Sequence, residues 1–117
     1  ETIRISKEDI FSVKGQGKVF RLRDEVVPIL NLRTTMNMPD YPEDYIRHYV
    51  AVIRNGDRYV GLIVDRMVNE QEIVIKSLGG DVSKAPYIAG ASILGDGRVI
   101  LILDTVSLIE KTLGAAV

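Results

Sequence analysis

The sequence predicts an all-β fold made of small barrels, and three features carry that prediction. Apolar runs are short and rich in β-branched residues, as in Tyr49 to Ile53 and Val99 to Leu103. Turn-forming residues interrupt them repeatedly, at Gly15-Gln16-Gly17, Asn55-Gly56-Asp57 and Gly95-Asp96-Gly97. Clear helical spacing of apolar residues is confined to the C-terminal end. Many short strands, Gly/Asn/Asp turns and few helices form the pattern of small barrels. A chain of 117 residues suits one compact domain, which buries roughly two-thirds of the surface its unfolded chain exposes.

Taken in order, Ile3 and Ile5 alternate with Thr2 and Arg4, the period of a half-buried strand. That run starts at residue 1 without a polar lead-in, so a cut start is expected. Ser6 precedes Lys7-Glu8-Asp9-Ile10, a capped turn. Val19 to Arg23 and Glu25 to Leu30 read as two strands around Asp24, and Pro28 should place the second at an edge or make it leave the sheet there. Leu30 to Met38 carries mixed helical signals, and the Pro-punctuated Met38 to Glu43 is the best internal boundary. Tyr49 to Ile53, the Asn55-Gly56-Asp57 turn and Tyr59 to Val68 form a hairpin. Gln71 to Ile75 reads as a further strand and Ser77 to Pro86 as a loop. Ile93-Leu94 and Val99 to Leu103 then form a buried hairpin about Gly95-Asp96-Gly97. Asp104 stands at an N-cap position, and Val106, Ile109 and Leu113 share one face of a short terminal helix.

Composition removes several functions. Lys plus Arg number 15 against 16 Asp plus Glu, with both signs dispersed, so no field draws polyanions or acidic lipid. Nucleic acid and direct membrane contact are not expected. The absence of cysteine excludes disulfides and thiolate metal sites and fits a reducing cytosol. No apolar run approaches the roughly 20 residues of a spanning helix. His48, with Asp44 four residues earlier, supplies too few ligands for a metal, and a single histidine gives no triad. Gly15-Gln16-Gly17-Lys18 lacks the spacing and following helix of a phosphate loop and reads as a turn. Glu70 and Glu72 alternate beside Asn69 and Gln71, as in a solvated turn. Asp65 and Asp104 each end an apolar run, as caps or turn residues do. No catalytic residue, cofactor or metal is expected.

Apolar residues cluster at the internal boundary: Ile29, Leu30, Leu32, Met36 and Met38. Core filling is the usual role of such residues. The alternative is a groove for a partner, suited to adaptable Met side chains and an edge strand.

From Val13 onward the chain resembles the CheW-like regulatory domain of the CheA chemotaxis histidine kinases. VKGQGKVFRLRDEVVPILNL is similar to the family's early paired strands, and YVAVIRNGDRYVGLIVDRMVNEQEIVIKSLG to its central hairpin and next strand. APYIAGASILGDGRVILILDTVSLI is similar to its ending. The resemblance implies two intertwined, five-stranded SH3-like barrels with a short C-terminal helix. Subdomain 1 would span about 1–40 plus 104–117, and subdomain 2 about 45–103, within one domain over 1–117 that lacks its first strands. Such a gap would leave an edge open to dimerisation or strand swapping. Asp24 stands where the family's hairpin usually has Gly, which leaves the turn type open.

The resemblance also implies a scaffolding role. The partners would be the coupling protein CheW, the cytoplasmic tip of chemoreceptors and other domains of the parent kinase, in the cytoplasm at receptor arrays. Val27, Ile29, Leu30 and Leu32 are the expected partner-binding residues, with Val106 and Ile109. Leu30→Asp is expected to abolish binding in a folded module; loss of folding instead would assign Leu30 to the core. The near alternative is a free-standing CheW-type coupling protein. A nucleic-acid-binding SH3-like barrel would need a basic groove with interleaved aromatics, and an enzyme an acid, base and nucleophile that do not emerge.

Overall fold

The computed structural model describes residues 1–15, 17–68, 73 and 87–113. They belong to two compact units, Glu1–Val68 and Asn69–Val117. The first is built from β1 (Thr2–Ser6), β2 (Ile10–Val13), β3 (Gly17–Leu22), β4 (Glu25–Asn31), α1 (Leu32–Thr35), β5 (Arg47–Asn55) and β6 (Arg58–Val64). Its strands pair in the order β1-β5-β6-β4-β3-β2.

That order forces curvature. The two outermost strands, β1 and β2, are joined only by a 3₁₀ turn, Lys7–Asp9. A flat sheet of this order would hold them about 24 Å apart, at roughly 4.8 Å per strand spacing. The four residue steps from Ser6 to Ile10 reach at most about 14 Å. The sheet therefore curls until both edges meet the corner. The corner is locked as the sequence suggests: Ser6 Oγ accepts from Glu8 N at 3.3 Å, and Asp9 Oδ2 accepts from Ser6 N at 3.0 Å.

β4 is the hinge of the curl. It pairs antiparallel with β3 from Glu25 to Pro28, then parallel with β6 from Ile29 to Asn31. Pro28, which has no N–H to donate, stands at the handover, so the strand changes partner where its sequence requires. β3 and β4 are linked through Arg23, whose φ is 56°. The left-handed residue of this turn is thus Arg23, the neighbour of the Asp24 that occupies the expected glycine place. β5 and β6 turn at Gly56, with φ 66°. β5 and β6 pair with β1 and β4 across the Pro-punctuated loop.

Strand alternation sends Phe20, Leu22, Val27, Ile29, Val50, Val52 and Ile63 to the inside of the curl, where they form the core. Ile3, Ile5, Ile10 and Tyr41 pack around it. Gly61 makes room for Phe20. A Cβ there would stand 2.5 Å from Phe20 Cε1 and 3.0 Å from Val50 Cγ1. The opposite face of the sheet carries Leu30 and Leu62 in register, and both are buried.

The second unit holds, among its described residues, β7 (Ile88–Ile93), β8 (Val99–Leu103) and α2 (Thr105–Leu113). β7 and β8 form the hairpin read from the sequence. Gly97 N donates to Leu94 O at 2.9 Å, and Gly97 takes φ 89°, the left-handed position that ends a three-residue loop. The hairpin is buried on one face only: Ile93, Val99 and Leu101 are exposed. Asp104 caps α2, with Oδ1 accepting from Ser107 N at 3.1 Å. Leu108 and Ile109 are buried whereas Val106 is half exposed, so the buried stripe is rotated from the expected one. The expected strand Gln71 to Ile75, apart from Ile73, the loop Ser77 to Pro86 and the Glu70/Glu72 pair lie outside the described residues.

Candidate functional site

Within Glu1–Val68 the residues expected at a groove separate by strand parity. Val27 and Ile29 point inward and belong to the core, with 2% and 5% exposure. Leu30 is on the other face and is buried as well, while Leu32 is half-buried at the start of α1. In the second unit, Val106 is exposed and Ile109 is buried on α2. The accessible members of the expected set are therefore Leu32 and Val106.

A different apolar group is exposed on the first unit. Phe11 and Val13 of β2 and Val26 of β4 are 55%, 37% and 64% exposed. Pairing fixes their shared face. Ile10, Phe20 and Val27 align across β2, β3 and β4 and point inward, so Phe11, Val13, Arg21 and Val26 point outward. Sequence reasoning missed Phe11 and Val13 because it assigned no strand to residues 10–13; the alternation of Phe11 and Val13 with Ser12 was the available signal.

The Pro-punctuated loop is held against the first unit by polar contacts. Asp65 Oδ1 accepts from both Arg33 Nε and the Tyr41 hydroxyl, each at 2.8 Å. Arg33 Cζ lies 4.3 Å from the Tyr41 ring centroid. Asp40 Oδ1 accepts from Asn31 Nδ2 and Tyr41 N, both at 2.7 Å. The hydrogen bond from Arg33, then that from Tyr41, holds the Asp65 carboxyl below its ordinary pKa. The Tyr41 phenol is pushed well above its ordinary value, chiefly by burial and then by its bond to Asp65. Asp40 is lowered first by the Tyr41 backbone N–H and then by Asn31. Behind this loop lies a cavity of about 370 Å³. Among the described residues no helix is long and apolar enough to cross a membrane.

A curled sheet, few helices and a short terminal helix define an all-β, CheW-like fold of the SH3-like kind. The family model of the CheW-like domain matches residues 1–113, and the chain belongs to that family. It is 38% identical over 110 residues to the sensor histidine kinase CheAY of Helicobacter pylori, covering 94% of this chain and 14% of that protein. The chemotaxis protein CheA of Treponema pallidum is 39% identical over 111 residues, at 94% and 14% coverage. That of Bacillus subtilis is 35% identical over 109 residues, at 93% and 16%. The chain thus spans about one-seventh of the length of these relatives, two of which are chemotaxis proteins by name. The names of these relatives favour the kinase-domain reading over a free-standing CheW-type protein.

Proposed function

We propose that this chain is a non-catalytic coupling module of a cytoplasmic chemotaxis histidine kinase, joining the kinase to a CheW-type coupling protein and to the cytoplasmic tip of chemoreceptors. The observation that carries this reading is the family match over residues 1–113 together with relatives that are chemotaxis kinases. Three exposed residues on the outer face of β2–β4 support it, because Phe11, Val13 and Val26 offer apolar area beside Arg21 and around the buried Val19, as a docking surface does. Leu32 and Val106 are the accessible residues of the sequence-derived set and are proposed as further contacts. Val27, Ile29, Leu30 and Ile109, being buried, would act by shaping the strand and helix beneath. The domain division into subdomains 1–40 plus 104–117 and 45–103 remains part of this proposal.

The test is a titration of the chain against purified CheW and a receptor cytoplasmic fragment, with sedimentation alongside. Saturable binding by a folded monomer is the expected result. A well-folded monomer that binds neither protein, or that turns over a nucleotide, overturns the reading.

A further inference from the structure

We infer that the open end of the curled sheet, in the unit Glu1–Val68, is a binding site for a small organic anion. Alternation sends Ser12 of β2, Lys18 of β3, Asn31 of β4 and His48 of β5 inward, each two residues from an inward apolar residue: Ile10, Phe20, Ile29 and Val50. Toward the opposite end Leu22 and Val52 are apolar and buried, and the polar residues of the same parity, Glu25 and Arg54, are exposed. Four strands therefore bring inward polar residues to one cavity at this end. All four polar residues line the cavity of about 370 Å³, a size within the range of small-molecule pockets, which recur in the mouths of barrels. Local rules broken together in one place mark functional sites.

His48 is the second, independent observation. The residue is buried, with 7% exposure, and Nδ1 is buried with no hydrogen-bond partner among the described residues. A buried imidazole nitrogen without a partner is an unmet demand that a ligand or its proton can satisfy.

Four charged groups border the cavity with His48, Lys7 and Lys18 against Asp40 and Glu43, and the choice of an anion rests on Lys18. Lys7, from the 3₁₀ turn, and Lys18, from β3, both border the cavity, and Lys18 makes no ion pair among the described residues. Asp40 borders it too, but its Oδ1 already accepts from Asn31 and Tyr41. Glu43 lies at the rim, where its carbonyl accepts from Lys7 Nζ at 3.1 Å. Ile29, Ile63 and the rings of Tyr41 and Tyr45 give an apolar body its wall. The charged end would meet Lys18 and Lys7, and the imidazole would take a proton from solvent as the anion seats. Burial holds His48 below its ordinary pKa; Lys7 and Lys18 push the same way and Asp40 opposes them. A bound anion reverses that balance, so binding takes up a proton and tightens as pH falls.

The test is amide and imidazole NMR of the whole chain titrated with benzoate, acetate and benzylamine. Benzoate should move the Ser12, Lys18 and His48 signals saturably, acetate should bind more weakly and benzylamine should leave them unmoved. Benzoate should bind about fivefold tighter at about pH 6 than at about pH 8 and raise the His48 pKa. Lys18→Met should weaken it about tenfold, and Lys18→Arg should retain it. The inference is overturned if benzylamine binds in place of benzoate or acetate binds as tightly as benzoate. Shifts spread evenly over surface lysines, or affinity unchanged in a folded Lys18→Met chain, overturn it equally. Amide dispersion reports folding in every case, and the comparison of the three probes decides the matter without any variant.

Discussion

Asp65 shows how much one side-chain oxygen can organise, since Oδ1 alone receives Arg33 from α1 and Tyr41 from the loop. A carboxyl whose pKa is depressed by folding stabilises the protein above its unfolded value, 3.8 here, and that stability is lost as pH falls through the folded pKa. Asp65→Asn should cost about 0.5–1 kcal/mol at neutral pH, the modest range of a half-exposed pair. The gap to the parent should close below about pH 4, as read from urea midpoints against pH. His48 has the opposite charge logic. Its folded pKa is lowered from 6.5, mainly by burial, so the unfolded chain binds more protons below about pH 6.5 and stability falls on acidification. His48→Phe should flatten the urea midpoint between about pH 7.5 and about pH 5; a variant that keeps the parent's slope refutes this assignment. Neither role was legible in sequence. Asp65 read as the end of an apolar run because Arg33 and Tyr41 lie whole strands away from it, and His48 as a lone histidine because Lys18, which borders the same cavity, is equally distant in the chain.

At the level of elements, turn chemistry and close approach set the sharpest constraints. Arg23 occupies the left-handed region at φ 56°, a conformation an L side chain resists and glycine adopts freely. Its ion pair with Glu1 is exposed on both sides and contributes little. Arg23→Gly should therefore raise stability by about 0.5–1 kcal/mol in denaturant melts. Gly61→Ala should do the reverse. Its Cβ would overlap Phe20, a residue with no exposed surface and no room to yield, and overpacking of this kind costs roughly 1–3 kcal/mol. Strands, turns and the α2 cap were readable because they follow from local rules: period-two alternation, Gly97 in the β7–β8 loop, Asp104 before α2. The face of α2 was not. Helical spacing grouped Val106 with Ile109, yet Leu108 and Ile109 are the buried pair, since which side of an apolar stripe is covered depends on what packs there.

Across the whole molecule, the partner order of the strands determines which apolar residues can meet another protein. Phe11→Asp and Val26→Asp should leave the urea midpoint nearly unchanged, as surface substitutions do, and abolish binding to the coupling protein in a titration. Leu30→Asp should instead unfold the chain or cost about 3 kcal/mol or more, because it buries a charge without a partner. If Leu30→Asp stays folded and only loses binding, Leu30 returns to the accessible groove read from the sequence.

The sequence by itself determined the all-β class, the hairpins, the Pro28 interruption and, through the order of its motifs, the CheW-like family. These depend on periodicity, turn residues and backbone donors, which are properties of neighbouring residues. Tertiary structure decided that Pro28 is a change of partner within a strand, that Val27 and Ile29 are core while Phe11 and Val26 face outward, and that Ser12, Lys18, Asn31 and His48 converge on one opening. Those outcomes depend on the curl imposed by the short β1–β2 corner, and a constraint on the distance between sheet edges has no local signature in the chain.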